Sequence, residues 1–330
     1  MVLNLFFGIA LFLFGMNLMS EHLKKISGSG TEILLYRLTD KPLKGLLIGT
    51  GVTALIQSSS AVSAMVVSLT ESRIMKLKQA IPIIIGSILG TSATGWIIAY
   101  SSITFNAANI LNIFSASVLS AVFAIAGIFL KLFIKKQQLK RLGEIFLGFA
   151  VLMLGIHTIT EAVEPLKNNP FFISSISSFQ NPFLLFFLGI ALSSLLQSAS
   201  ASVGILQTLS LSGLISLNTS VYLLLGIGIG ASVPVIIAAT GKCADAKRVS
   251  LIYLLCNSIG AVFIGLIYLV ISYFVGLNDT PVIVNSVQIA TMNTVYRVVI
   301  ALILMPFINV LEHISRGIIK EKKKLIAGKI

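Results

Sequence analysis

The residues best suited to chemistry form two polar runs set in apolar surroundings. Residues 53–64 read TALIQSSSAVSA and place Gln57, Ser58, Ser59 and Ser60 in succession; residues 192–201 read LSSLLQSASA and place Gln197, Ser198 and Ser200 likewise. Neutral amide and hydroxyl hydrogens can donate to the oxygens of an anion. Hydroxyl oxygens and turn carbonyls suit a hard, weakly bound cation such as sodium. A second pair of blocks, GTSAT at 90–94 and GASVP at 230–234, adds Thr91, Ser92 and Ser232. Thr53, Thr94, Ser193, Asn257 and Arg297 are further contributors. The competing reading is helix packing, since small residues and hydroxyls line contacts between membrane helices. That explains a single serine better than two matched polar runs. No hydrolase constellation appears: Gly28-Ser29-Gly30 lies in a basic loop without a nearby His/Asp partner. His22, His157 and His313 show no metal spacing, and GIGIG near Gly226 lacks a strand–turn–helix setting. An enzyme is therefore not expected, nor a resident cofactor or metal.

The elements that position these residues follow from composition. Apolar types make up 56% of the 330 residues and charged types 11%, with a mean hydropathy of +0.99. Soluble domains carry about 25% charged residues, so a soluble globular enzyme, a disordered chain and a fibrous repeat are all excluded. The sequence is that of an integral membrane protein. Its 24 basic and 11 acidic residues give a net charge of +13. In a membrane chain this reads as a cytoplasmic face near anionic lipid, with no nucleic-acid partner. Cys243 and Cys256 flank an expected membrane boundary and imply no disulfide framework. The first 20 residues lack a basic n-region and a cleavage site, so they are expected to remain as the first spanning helix.

Displacing the sequence by 140 residues aligns three blocks without an insertion. Gly8/Gly148, Gly15/Gly155, Glu21/Glu161, Gly49/Gly189, Gln57/Gln197, Ser58/Ser198, Ser60/Ser200, Gly86/Gly226, Gly90/Gly230 and Ser92/Ser232 coincide. Chance matches in apolar sequence would not include this polar set. A period this long indicates duplicated transporter halves rather than a solenoid. Lys24, Lys25, Arg37, Lys41 and Lys44 follow the first helix, whereas only Lys167 occupies the matching stretch. Arg73, Lys76 and Lys78 likewise face an uncharged segment in the second half. Basic loops stay cytoplasmic, so corresponding loops lie on opposite sides and the repeats are inverted.

The expected fold is an all-α polytopic membrane protein made of two inverted-topology repeats, each with a re-entrant helical hairpin and a broken transmembrane helix. Residues 1–141 form the first repeat, 142–285 the second, and 286–330 a final helix with a basic cytoplasmic tail. Hairpins are expected at 43–70 and 183–212, and spans at 79–100, 110–131, 142–160, 219–240, 249–275 and 286–311. A single span through 43–70 would place Lys41/Lys44 or Arg73/Lys76/Lys78 outside, which disfavours it. The N-terminus is then outside and the C-terminus cytoplasmic, in the cell membrane. This puts 22 of the 24 basic residues inside, leaving Lys167 and Arg297. Arg297 would pair with a carboxylate, snorkel, or offset anion charge, and is the only candidate basic side chain for the site. Local unwinding is expected at 90–94 and 230–234. Glu21 and Glu161 are expected at the interface, and a homodimer is an open alternative to a monomer.

At these residues the sequence resembles the type II sodium/phosphate cotransporter family, and looks like a bacterial member. The resemblance rests on the Gln-Ser blocks at 57–60 and 197–200, each followed by a G-x-x-x-G-[T/A]-S block, and on the opening LFGMNLMSE, AKRVSLIYLLCNS and TVYRVVIALILMPF. It implies symport of inorganic phosphate driven by sodium through alternating access, with substrate between the hairpins. Carried over by position, it implies that Gln57, Ser58, Ser59, Ser60, Thr91, Ser92, Gln197, Ser198, Ser200 and Ser232 bind substrate and sodium. Three departures stand out: Ala199 lacks a hydroxyl, Ile88 and Gly228 stand where Asn is frequent, and Asn293 where His is frequent. Transport of another anion, or a non-transporting sensor or assembly role, is the alternative.

Overall fold

A computed structural model describes residues 2–27, 41–105, 116–165, 181–213, 215–275 and 282–321. The described residues are nearly all helical. In chain order the helices are α1 (Val2–Ser27), α2 (Pro42–Ile56), α3 (Ser59–Glu71), α4 (Leu77–Gly90), α5 (Ser92–Phe105), α6 (Ala116–Phe133) and α7 (Gln137–Val163). They continue as α8 (Pro182–Leu196), α9 (Ala199–Ser210), α10 (Leu217–Gly230), α11 (Ser232–Ala239), α12 (Ala244–Val275), α13 (Ser286–Leu304) and α14 (Ile308–Ile318). Among the described residues, 6 helical stretches are long and apolar enough to cross a membrane. Large apolar side chains such as Leu3, Phe183, Leu195 and Phe274 point outward, while Thr53, Ser63, Ser193, Ser232, Asn257 and Arg297 are buried. Polar inside and apolar outside suits hydrocarbon as the solvent. The chain is a multi-pass membrane protein.

Glycines set the helix pairing. A Cβ on Gly49 would lie 2.2 Å from the Ile83 carbonyl oxygen, one on Gly86 2.1 Å from that of Leu46, and one on Gly90 2.4 Å from that of Thr50. The second half repeats this 140 residues later: Gly189 meets Leu223, Gly226 meets Phe186 at 2.0 Å, and Gly230 meets Ile190. Missing side chains let the backbones touch, the usual way membrane helices gain dispersion contact. Because 46–50 advances along 86–90, α2 runs parallel to α4. The chain from the end of α2 through α3 to Leu77 must therefore return to the end where α2 began. By the same contacts, the α8–α9 pair returns to the end where α10 starts.

Two further contacts orient the halves. The Cys243 amide after α11 donates to Glu71 at 2.6 Å, and Lys242 donates to Ser68 at 3.1 Å. The finish of α11 thus lies beside the start of α4, so the two glycine-paired units run antiparallel. Helix α1 also lies antiparallel along α7, with Gly8 against Gly155 and Gly15 against Gly148. This crossing is self-complementary under the 140-residue offset.

Two expectations require correction. The interruptions at Thr91 (φ −60°, ψ −24°) and Ala231 (φ −62°, ψ −13°) are one residue long and right-handed helical. They are single-residue interruptions rather than unwound segments, because tight glycine packing on α2 and α8 holds the chain helical through them. The last helix does not stop at 311: it turns through a short 3-10 segment, Met305–Phe307, and runs on to Ile318. Pro306 lacks the N–H that would continue the α-helical ladder. The break at Gln57 also removes the single-span alternative for 43–70 as a continuous helix. Lys167, Asp279, Arg37, Lys322 to Lys324, Lys329 and the start of the 110–131 span lie outside the described residues.

Candidate functional site

Both hairpins end in the same backbone device. Gln57 (φ 59°) and Gln197 (φ 52°) are left-handed non-glycine residues closing α2 and α8. Ser58 and Ser198 follow in extended conformation and cap α3 and α9, each accepting from the amide three residues on, Ala61 and Ala201, at 3.2 Å. A non-glycine residue held left-handed costs roughly 1–3 kcal/mol, and such strain gathers at functional sites. Each cap satisfies one amide and leaves the others at the positive helix end pointing past the tip.

The tips meet. The Ser200 hydroxyl donates to the Gln57 carbonyl at 3.1 Å and lies 3.2 Å from the Ser198 hydroxyl. From α1, Ser20 donates to the Ile56 carbonyl at 2.7 Å. Between them lies a pocket of about 330 Å³ lined by Gln57, Ser58, Gln197 and Ser198 with Asn17, Ser20 and Lys24 of α1. That volume falls at the small end of ligand cavities, about 300–1,000 Å³. Gln57 is 6% exposed and its Oε1 has no partner, whereas Gln197 is exposed. The equivalent glutamines therefore share a conformation but not an environment.

Lys24, Asn17 and Ser20 were not singled out from the sequence. Their signal was helical spacing, since 13, 16, 17, 20 and 24 fall on one face of α1. Arg297 is thus not the only basic side chain available to the site.

The remaining predicted residues lie behind the tips. Thr53 and Ser193 occupy equivalent positions on α2 and α8, their Cβ atoms 2.7 and 2.9 Å from where Gly90 and Gly230 would carry one. Their hydroxyls, and those of Ser92, Thr94 and Ser232, are buried without partners. Thr91 donates to the Ser87 carbonyl at 3.2 Å, a local helix bond rather than a site contact. Ser59 turns away from the pocket and bonds the Tyr253 hydroxyl at 3.0 Å. Ser60 is partly exposed beside it. Asn257 donates to the Tyr253 carbonyl at 2.9 Å and leaves its Oδ1 unpartnered.

Arg297 is 1% exposed; its Nε donates to Asn293 and its Nη1 to the Ile88 carbonyl, both at 2.9 Å. Among the described residues it pairs with no carboxylate, which answers one expectation in the negative. Ile88 and Asn293, singled out as departures, are thus its partners. Gly228 faces Tyr296, the residue before it. No group of three metal-ligating side chains occurs among the described residues. Cys243 is exposed and Cys256 buried, both free. His22 is buried, with its Nε2 against the Glu144 carboxylate.

Residues 11–161 match the family model described as Na+/Pi-cotransporter. YqeW of Bacillus subtilis is 26% identical over 318 residues, 95% of this chain and 97% of its own length. The "Putative inorganic phosphate export protein YjbB" of Escherichia coli K12 is 24% identical over 98% of this chain, which spans 57% of that protein. The sodium-dependent phosphate transport protein 2A of Oryctolagus cuniculus is 47% identical over 58 residues, 18% of this chain and 9% of its own length. No solved structure matches. The matched family model covers most of the first helix, the first Gln-Ser tip and the start of the second half, and over that stretch the chain is similar to the Na+/Pi-cotransporter family.

Proposed function

We propose that the protein is a secondary active transporter that carries inorganic phosphate with sodium across the cell membrane by alternating access. The observation that carries this reading is the convergence of two identical tips, an αL glutamine followed by a capping serine, on one pocket. Hydroxyls, amides and two positive helix ends there offer donors to phosphate oxygens. The buried unpartnered hydroxyls of Thr53, Ser92, Ser193 and Ser232 are candidates for sodium, whose charge would offset that of the anion at low dielectric. In this reading each helix pair is a re-entrant hairpin and the halves are inverted repeats, with the N-terminus outside. The parallel α2/α4 and α8/α10 pairs, the antiparallel units and the self-complementary α1/α7 crossing support it. The hairpin-bearing units would move against α1 and α7 to expose Gln57 and Gln197 in turn, and their unequal exposure is what one end state of such a cycle would show.

Sodium-dependent uptake of labelled phosphate into proteoliposomes tests the reading. Equal uptake without a sodium gradient, or no phosphate uptake, would refute it. A second reading, phosphate export, is favoured by the likeness to YjbB across 98% of this chain. Net efflux from phosphate-loaded vesicles under an inward sodium gradient would select it. Uptake of sulfate in place of phosphate would point to another anion.

A further inference from the structure

Arg297 is a buried guanidinium that pairs with no carboxylate among the described residues. Its Nη2 is buried without a partner, and the groups it does reach, the Asn293 amide oxygen and the Ile88 carbonyl, are neutral. Arg248 shows the contrast: it is 3% exposed, yet pairs with Asp245 and donates to the Ile319 carbonyl. Taking an ion out of water costs several kcal/mol even after relaxation, and neutral acceptors repay only part of it. Arginine cannot escape by losing its proton.

The surroundings connect this charge to the hairpin tip. Ser59, adjoining the pocket residue Ser58, bonds Tyr253; one turn on, Asn257 donates to the Tyr253 carbonyl. The Asn257 Oδ1 and the Tyr296 hydroxyl, both unpartnered, stand 3.2 and 3.1 Å from where Gly228 would carry a Cβ. Nη1 of Arg297 binds the carbonyl of Ile88, beside Ser87, whose hydroxyl lies 3.3 Å from that of Ser63 on α3. The charge thus sits directly behind the first tip, joined to it through α4 and α12.

We propose that Arg297 is a resident counter-charge for the transported anion and does the work of one bound sodium. The inference rests on the phosphate-transport reading and deepens it. An anion arriving at the tips supplies a negative charge that no described carboxylate gives Arg297. Arg297 in turn lets the anion bind, more weakly, before any sodium arrives. At an effective dielectric of about 20 and a separation of about 10 Å, one unit charge changes anion affinity roughly tenfold.

The test is equilibrium binding of labelled inorganic phosphate to the detergent-solubilised full chain across a sodium series balanced with choline, alongside proteoliposome uptake. Wild type should bind phosphate without sodium. Arg297→Gln should bind roughly tenfold more weakly there and approach wild type at high sodium. A monodisperse Arg297→Gln protein with wild-type affinity at every sodium concentration would overturn the proposal. Should that variant fail to fold, Arg297→Lys decides. A buried lysine sheds its proton as pH rises, so its sodium-free phosphate binding should fall with pH relative to wild type. A parallel pH profile would overturn the proposal. Wild-type protein that neither binds nor carries phosphate at any sodium concentration would instead refute the underlying reading.

Discussion

The hydroxyl of Ser200 donates across 3.1 Å to the main-chain carbonyl of Gln57, 143 residues away. It joins the tips of two hairpins that belong to different halves of the chain. Neither half builds the pocket alone, which is the physical meaning of the duplication.

Ser200→Ala removes this bond and the 3.2 Å contact with the Ser198 hydroxyl, while the Ala201 amide can still donate to Ser198. A neutral hydrogen bond is worth about 0.5–1.5 kcal/mol net. The solubilised protein should melt slightly earlier, by what a bond of that size contributes, and half-saturation for phosphate uptake should rise because the two tips are no longer tied. Unaltered half-saturation would separate tip contact from substrate binding.

Gln57→Gly and Gln197→Gly relieve the left-handed strain while deleting the amides. Each should raise stability by about 1 kcal/mol and sharply reduce uptake. Gln57→Leu and Gln197→Leu should also lose uptake, without the gain in stability. If all four transport normally, the two glutamine amides are not part of the substrate site.

Gly86→Ala and Gly226→Ala force a methyl to within 2.1 and 2.0 Å of a carbonyl oxygen. Each should cost about 1–3 kcal/mol by overpacking, read as an earlier melt in size-exclusion thermostability. Gly51→Ala meets nothing within 4 Å and should be neutral or stabilising by up to about 1 kcal/mol.

Glu71 supplies a pH test. The Cys243 amide that donates to its carboxylate, aided by Lys242 and Lys247, lowers its pKa from the ordinary 4.5. A carboxylate with a depressed folded pKa stabilises the fold above its unfolded pKa and loses that contribution as pH falls through the folded value. Glu71→Gln should therefore melt earlier than wild type at pH 7, and the gap should close as the pH drops below 4.5. A constant gap across that range would show that charge is not involved.

Much of this was legible in the sequence. Hydropathy alone demands a membrane solvent, and the 140-residue offset of Gln57/Gln197 and Gly86/Gly226 fixes which residues are equivalent, because duplicated helices that pack alike must keep the same small residues at the same contacts. The Gln-Ser motif marked the hairpin tips, since a polar run amid apolar helix is tolerated only where it is partnered or binds something.

What lies opposite each motif is a matter of three-dimensional packing. Local pattern could not reveal that Lys24 lines the pocket, that Ser59 turns to Tyr253 instead, or that Arg297 finds Ile88 and Asn293 but, among the described residues, no carboxylate. Those partners come from helices distant in sequence, and which face meets which is decided by backbone approach at the glycines. The one-residue interruptions at Thr91 and Ala231 show the same limit: glycine and hydroxyl composition permitted an unwound segment, and tight packing against α2 and α8 kept it helical. Sequence thus determined the solvent, the duplication and the polar inventory. Tertiary structure decided which members of that inventory share one pocket, because burial and charge compensation depend on neighbours that only the folded chain brings together.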